Sequence, residues 1–173
     1  MNHILNEVAT LDLSKFISGD KNDRIEFSNN LGISFNQTGF AIIKNTGFEN
    51  ELSQELYKII KDFFDLEDEN KIKYYFPELY GQRGYVIKGQ EHAKGSKKGD
   101  LKEFYHIGDP TSNASPENIW PIEINEFQEI TSKAFLLLEE IGLQVLESIA
   151  LYLDLEKNYF LDKVKGGQSI MRA

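Results

Sequence analysis

Residues 80–108 read YGQRGYVIKGQEHAKGSKKGDLKEFYHIG, and this stretch decides the fold. Within it, residues 83–88 and residues 101–107 each alternate apolar and polar side chains over a short run bounded by glycine, which is typical of β-strands. The intervening residues 89–100 are polar and basic, as expected of a connecting loop. The sequence therefore predicts a hairpin with helical patterns on both sides.

The two predicted strands have faces of mixed character. Period-two alternation places Tyr85 and Ile87 on one face of the first strand. In the second strand Phe104 and His106 share a face, and Tyr105 lies on the opposite one. Such a mixture is compatible with a pocket wall, since binding sites are mostly apolar with a few placed polar groups. It is equally compatible with an ordinary half-buried hairpin, so both interpretations stay open.

The composition indicates a globular protein. The chain has 173 residues, of which 40% are hydrophobic and 27% are charged, so we expect a single domain over residues 1–173 with a sizeable core. Its formal net charge of -9 argues against a nucleic-acid-binding surface. The absence of cysteine excludes disulfides, thiolate zinc sites and cysteine nucleophiles.

No targeting segment is evident in the sequence. The opening MNHILNEVATLDL lacks the charged region and long apolar run of a signal peptide. No apolar run approaches the length that spans a bilayer. We expect a soluble cytoplasmic protein that has neither a membrane nor a nucleic acid as a partner.

Periodicity predicts the elements that flank the hairpin. On its N-terminal side these are a strand at 7–13, a helix at 21–36 capped by Asp20, a strand at 40–44, a helix at 49–64 and a short helix at 66–75. On its C-terminal side they are a long helix at 124–153, a short helix at 156–161 and a strand at 168–173. The long helix carries one apolar stripe, which we expect to pack on the sheet of the same domain.

Three motifs in this order carry a family resemblance. They are TGFAIIKNTG at residues 38–47, QRGY at 82–85 and DLKEFYHIG at 100–108, and the chain closes with SIMRA at 169–173. Together they resemble the N-terminal region of the isopenicillin N synthase-like family of non-haem iron oxygenases, which mostly depend on 2-oxoglutarate. The resemblance implies an α+β fold: the mixed helix and sheet region that precedes a jelly-roll (double-stranded β-helix) barrel, with the barrel itself largely missing, so we expect a truncated chain.

The same resemblance implies Fe(II) and 2-oxoglutarate as cofactors and a small molecule as substrate. Relatives hold the iron with a His-x-Asp pair and a later histidine on the barrel, a ligand set that suits ferrous oxygenases. Here His3, His92 and His106 are not followed two residues later by Asp or Glu. We therefore assign no catalytic, cofactor-binding or metal residue and expect the chain to be inactive alone.

The resemblance also implies which residues shape the substrate pocket. In relatives the strands that correspond to QRGY and EFYHIG lie beside the mouth of the active site. The implied substrate-binding residues are Arg83, Tyr85, Tyr105, His106 and, in the closing strand, Arg172. An arginine there can hold a substrate carboxylate through paired hydrogen bonds, or it can form a surface ion pair with Glu91 or Glu103.

Two other functions remain open. The chain can be a non-catalytic binding or dimerisation module that keeps only the scaffold, with the long helix as the interface of a homo-oligomer. It can also be an acid–base enzyme that uses Glu91, Glu103 and His106. The leading hypothesis is the scaffold and substrate-pocket portion of an oxygenase whose C-terminal half is missing.

Overall fold

A computed structural model describes residues 7–92, 94–95, 98–112 and 116–173. His3, and Ala93, Ser96 and Lys97 of the predicted loop at 89–100, lie outside the described residues. The structure mixes helices and short strands, which confirms the predicted α+β class.

The described part of the chain contains six α-helices, two 3₁₀ turns and five strands. The helices are α1 Leu13–Ser18, α2 Lys21–Thr38, α3 Asn50–Phe64, α4 Asp68–Lys71, α5 Phe127–Tyr152 and α6 Leu161–Val164. The strands are β1 Thr10–Asp12, β2 Ile42–Lys44, β3 Gly84–Val86, β4 Phe104–Gly108 and β5 Ile170–Arg172. The main predicted elements are thus confirmed, the strands being shorter than predicted.

Two short helices differ from the prediction. The helix predicted over residues 66–75 is one α-helical turn, α4, followed by a 3₁₀ turn at Ile72–Tyr74. It ends there because Phe76 precedes a proline and is therefore extended. The helix predicted over residues 156–161 begins only at Leu161, after α5 has ended at Tyr152 and Asp154 has turned the chain with a φ of 55°.

Residue packing divides the chain into two compact units, and the single domain predicted for residues 1–173 stays a prediction. The first unit comprises the chain up to Glu49 together with Leu137–Gly167. In it β1 and β2 pair in parallel over an apolar core. Its buried residues are Leu11, Leu13, Phe16, Phe27 and Leu31, and Ile141, Val145 and Ile149 of α5 pack against them.

The start of α2 shows why this helix begins where the sequence predicts. The side chain of Asp20 accepts hydrogen bonds from the backbone N–H groups of Asn22 and Asp23. In return Asp23 accepts one from the backbone of Asp20, which completes a capping box. Gly39 ends the helix with a φ of 77°, in the left-handed region that glycine enters without strain.

The second unit comprises Asn50–Leu136 and Gln168–Ala173 and is built on an antiparallel sheet of order β3-β4-β5. Its core is aromatic. The fully buried ring of Phe63 in α3 makes edge-to-face contacts with Tyr74, Tyr85 and Tyr105. The first turns of α5 add Phe127 and Ile130, among other apolar residues, to the same core.

Strand register separates the two faces of this sheet. Tyr85 pairs with Tyr105, and both face the aromatic core. His106 pairs with Gly84 on one side and with Arg172 on the other, and it faces away from that core. The predicted separation of Tyr105 from His106 is confirmed, and the second face carries the candidate site.

The apolar stripe of α5 contributes residues to the cores of both units. Ile130 belongs to the aromatic core, whereas Ile141 and Ile149 belong to the first core. The stripe is therefore packed against helices as well as strands. Within the described residues, none of the helices has the length and apolar character needed to cross a bilayer.

Candidate functional site

A cavity of about 410 Å³ lies against the face of the three-stranded sheet that points away from the aromatic core. This volume is within the range of small-molecule sites. It is lined by Tyr80, Gly81, Gln82, Val86, Gln90, Glu91, His106, Ile170 and Arg172. The residues come from β3, β4, β5 and the segments next to β3, so the sheet register positions them.

His106 lies at the centre of this arrangement, and its protonation is fixed by its neighbours. Its Nδ1 contacts the carbonyl oxygen of Gly81, and its Nε2 is 2.7 Å from Nε of Arg172. A carbonyl only accepts and a guanidinium only donates, so the imidazole is neutral with its hydrogen on Nδ1. Burial, more than any other influence, lowers the pKa of His106, and the nearby Arg172 lowers it further.

Arg172 is held on three sides. Its Nε donates to His106, its two terminal nitrogens lie 3.1 and 3.5 Å from the carboxylate of Glu91, and its Cζ lies 4.2 Å from the ring centre of Phe104. The Phe104 and His106 rings are themselves stacked, with centroids 5.9 Å apart. These contacts fix the plane of a half-exposed guanidinium that can present hydrogen-bond donors to a ligand.

An unpaired acceptor lies in the same cavity. Oε1 of Gln90 is buried and has no hydrogen-bond partner in the described part of the chain. Leaving such an atom unpaired costs about 1–3 kcal/mol. The cavity lining therefore combines the donors of Arg172 with Gln90, a residue whose amide oxygen has no partner among the described residues.

Arg83, a predicted substrate-binding residue, occupies a different environment. Its side chain is buried, one terminal nitrogen donates to the carbonyl of Gln82 at 2.7 Å, and its Nε has no acceptor in the described ranges. The guanidinium lies so close to Gly108 that a Cβ on that residue would overlap it. Burial lowers the pKa of Arg83. Its side chain packs beneath the end of β4.

The two predicted tyrosines face the aromatic core. Tyr105 is fully buried and donates its hydroxyl hydrogen to the carbonyl of Ile119 at 2.8 Å, and Tyr85 donates to the carboxylate of Glu103. Burial raises the pKa of both hydroxyls. Of the five residues predicted from the resemblance, the structure thus brings His106 and Arg172 together at the cavity.

Glu103 belongs to a separate ion network. Its two oxygens each lie 3.1 Å from a lysine nitrogen, that of the buried Lys71 and that of Lys88. Burial alone would raise the pKa of Glu103, but the hydrogen bonds from Tyr85, Lys88 and Lys71 together lower it. Of the three residues in the acid–base hypothesis, Glu91 and His106 line the same cavity, and Arg172 contacts both of them. Sequence reasoning missed Gln90 and Lys71, for which no pattern gave a signal.

The described residues do not fit the iron centre implied by the family resemblance. Among them, no group of three or more histidine, aspartate or glutamate side chains could hold a metal ion. Both ring nitrogens of His106 already have partners. No reaction step is therefore assigned to a metal bound by these residues.

Residues 8–123 match the sequence family described as the non-haem dioxygenase in morphine synthesis N-terminal region. Curated relatives are similar over most of the chain. The 2-oxoglutarate-dependent dioxygenase ecdK of Aspergillus rugulosus is 31% identical over 95% of this chain and 54% of its own length. The 2-oxoglutarate-Fe(II) type oxidoreductase ppzD of Metarhizium rileyi is 30% identical over 90% of this chain and 48% of its own.

Solved structures show the same partial coverage. A 2OG-Fe(II) oxygenase family protein from Caulobacter crescentus is 32% identical, with a TM-score of 0.83, over 97% of this chain and 55% of that protein. A full-length protein of Neurospora crassa, solved in complex with alpha-KG, is 26% identical, with a TM-score of 0.82, over 98% of this chain and 52% of that protein. The chain thus spans about half the length of the relatives it matches.

Proposed function

Since this chain belongs to the family of 2-oxoglutarate-dependent iron(II) oxygenases, we propose that it supplies the N-terminal scaffold and one wall of the substrate pocket of an enzyme that oxidises a small molecule. The family predicted from the motifs is confirmed by the sequence match over residues 8–123. Among the relatives, ecdK is a 2-oxoglutarate-dependent dioxygenase and ppzD is a 2-oxoglutarate-Fe(II) type oxidoreductase, and the structure of the Neurospora protein contains alpha-KG.

The observation that carries the proposal is the fixed guanidinium of Arg172 at the edge of the 410 Å³ cavity. His106 has no proton to exchange at Nε2, because this atom accepts the hydrogen bond from Arg172. Its role is therefore to orient Arg172, and the role of Arg172 is to bind an acceptor group of the substrate. Gln90 Oε1 binds a donor group of the same molecule.

This pairing of donors and an acceptor favours a substrate with neighbouring carbonyl and N–H or O–H groups. Such groups occur in thymine and 5-formyluracil, which are bound in structures of the Neurospora protein. We propose a small polar heterocycle or amide of this kind. A carboxylate substrate would compete with Glu91, which accepts one hydrogen bond from each terminal nitrogen of Arg172 and leaves one hydrogen on each.

The oxidising chemistry of the whole enzyme comes from iron and 2-oxoglutarate when these are bound. The described residues of this chain offer no group that could hold the metal. Their contribution is to bind and orient the substrate, and Val86 and Ile170 provide apolar contact in the cavity. The alternative, a non-catalytic binding or dimerisation module, stays a prediction.

The test compares the 173-residue chain with a fusion of it to the C-terminal half of the Caulobacter oxygenase, joined after β5. Both are titrated anaerobically with Fe(II) and 2-oxoglutarate, and the visible charge-transfer band is recorded. We expect the band only in the fusion. A band at one iron per chain in the 173-residue protein would contradict the proposal, because this chain would then hold the metal itself.

Binding of thymine, used as the probe, tests the role of the cavity in the folded fusion. Arg172→Gln should weaken thymine binding by about tenfold, as expected for loss of a charge-assisted hydrogen bond, and should leave the charge-transfer band unchanged. Lys58→Gln, a change in an exposed ion pair of α3, is the matched control. Equal thymine affinity in the Arg172→Gln and Lys58→Gln proteins would contradict the proposed role of Arg172 in substrate binding.

A further inference from the structure

A second cavity, of about 370 Å³, is lined by residues of the first unit. Residues of α1, α2, the last turns of α5 and the turn after it form its wall. The lining consists of Phe16, Lys21, Arg24, Ile25, Glu147, Leu151, Leu155 and Lys157.

The apolar part of this cavity is exposed to solvent. Ile25, Leu151 and Leu155 are 39%, 43% and 36% exposed, whereas Phe16 at the base is buried. Scattered exposed apolar residues are normal on protein surfaces, but these three line one concave site. An apolar ligand body would remove all three side chains from water.

The polar part of the cavity is positively charged, although the whole chain has a net charge of -9. Lys21, Arg24 and Lys157 contribute three positive charges, and Glu147 contributes one negative charge, which leaves a local charge of +2. Nη2 of Arg24 and Nζ of Lys157 approach the same oxygen of Glu147, at 2.7 and 3.4 Å. One carboxylate oxygen is therefore shared between two cations.

Two further carboxylates, those of Asp20 and Asp23, lie at the start of α2 and are held in its N-terminal cap. Asp20 accepts hydrogen bonds from two backbone N–H groups, and Asp23 accepts one from the backbone of Asp20. Within the described residues Lys21 has no ion pair. The three cations of the cavity lining thus have one paired carboxylate among the described residues, that of Glu147.

Arg24 has the geometry of an anion-binding residue. Its Cζ lies 4.4 Å from the ring centre of Phe16, which holds the guanidinium plane against the base of the cavity. Of its five N–H donors, the described residues take up the one that Glu147 accepts. A second carboxylate can therefore bind Arg24 without displacing Glu147.

We propose that this cavity binds a small amphiphilic carboxylate, with its acid group on Arg24 and Lys157 and its apolar body against Ile25, Leu151 and Leu155. A neutral apolar ligand would leave the excess positive charge unpaired, and a short polar anion would leave the apolar wall in water. This site is independent of the oxygenase function proposed above.

Decanoate, below the concentration at which it forms micelles, is the probe, and calorimetric titration of the 173-residue chain is the measurement. We expect one decanoate per chain, with decanol and acetate each binding at least about tenfold more weakly. Methyl resonances of Ile25, Leu151 and Leu155 should shift on decanoate addition and locate the ligand. Absence of saturable decanoate binding, or equal affinity for decanol, would overturn the proposal.

Substitution of the charged residues gives effects of opposite sign. Glu147→Gln keeps the side-chain shape and removes the competing negative charge, so it should tighten decanoate binding severalfold. Lys157→Gln, which changes a mostly exposed side chain, should weaken it severalfold. Lys58→Gln, in α3 of the other unit, is the matched control and should have no effect. An unchanged affinity in both the Glu147→Gln and Lys157→Gln proteins would overturn the charge argument.

A membrane surface is the competing partner for a basic apolar patch. Sedimentation with vesicles of phosphatidylcholine containing phosphatidylserine distinguishes it from a free carboxylate. We expect the chain to stay in the supernatant. The contrary result would be a chain that does not bind decanoate but sediments with the vesicles, and whose sedimentation is abolished by Leu151→Gln. That result would assign the patch to a lipid surface and overturn the proposal.

Discussion

The two faces of the sheet formed by β3, β4 and β5 differ in how completely their polar groups are satisfied. On the core face Tyr85 and Tyr105 donate their hydroxyl hydrogens within the protein. On the cavity face Arg172 is half-exposed and Gln90 Oε1 has no described partner. Polar residues of one hairpin thus serve different purposes. Those facing the core stabilise the fold, and those facing the cavity are left with groups that a ligand can use.

Removal of the central ring should disrupt the core face most strongly. Phe63→Ala deletes a fully buried ring that contacts Tyr74, Tyr85 and Tyr105. We expect a loss of about 3–5 kcal/mol in the free energy of unfolding, measured by urea denaturation. Tyr57→Ala on the same helix, where the side chain is 75% exposed, should change it by less than about 0.5 kcal/mol. Similar losses in the two proteins would contradict the aromatic core.

A smaller loss of stability is expected from a substitution at Gly108, the residue of β4 that lies against Arg83. Gly108→Ala introduces a Cβ that overlaps the Arg83 guanidinium, so we expect a loss of about 1–3 kcal/mol in unfolding free energy. Gly142→Ala in α5 is the control, because a Cβ there meets no atom of the described residues within 4 Å. The control should be neutral or stabilising by up to about 1 kcal/mol. If Gly108→Ala caused no more loss of unfolding free energy than Gly142→Ala, the Arg83 side chain would have room to move away from the added Cβ.

Substitution of Arg172 should have little effect on folding. Arg172→Gln removes a half-exposed ion pair with Glu91 and one hydrogen bond to His106. We expect the free energy of unfolding to fall by about 1 kcal/mol or less. Thermal and urea unfolding measure this change in free energy. A loss as large as that of Phe63→Ala would show that Arg172 stabilises the fold, and the two faces would then not differ in this respect.

The smallest effect should come from protonation of His106. Its pKa in the folded state lies below the ordinary value, chiefly through burial, so the unfolded chain binds the proton more readily. The stability from neutral His106 is therefore complete above about pH 6.5 and is lost as the pH falls below that value. Unfolding free energies measured between pH 7 and pH 5 should fall less steeply in His106→Gln than in the parent protein.

An NMR titration of the His106 ring is the direct check on this pH effect. It should show a hydrogen on Nδ1 at neutral pH and a midpoint below the ordinary histidine value. A midpoint above that value would mean that the Gly81 carbonyl and Glu91, which raise the pKa of His106, outweigh burial and Arg172, which lower it. The orientation proposed for the Arg172 guanidinium would then be wrong.

Local signals in the sequence predicted several elements correctly. The Asp20 cap, the apolar spacing of α3 and the long apolar stripe of α5 each depend on residues within a few positions of one another. The short helices α4 and α6 were predicted with the wrong bounds, because one turn of helix carries too little periodicity to fix its ends. The family motifs added the fold class, which composition alone left undetermined.

The sequence by itself determined the alternation along β3 and β4 and therefore that Tyr105 and His106 point in opposite directions. Only the tertiary structure decided which face is buried, because a period of two is the same for either assignment. It also decided that Arg172 meets His106, 66 positions away, and Glu91, 81 positions away. Such pairs arise from strand register and burial, which depend on contacts between distant segments and leave no local pattern in the sequence.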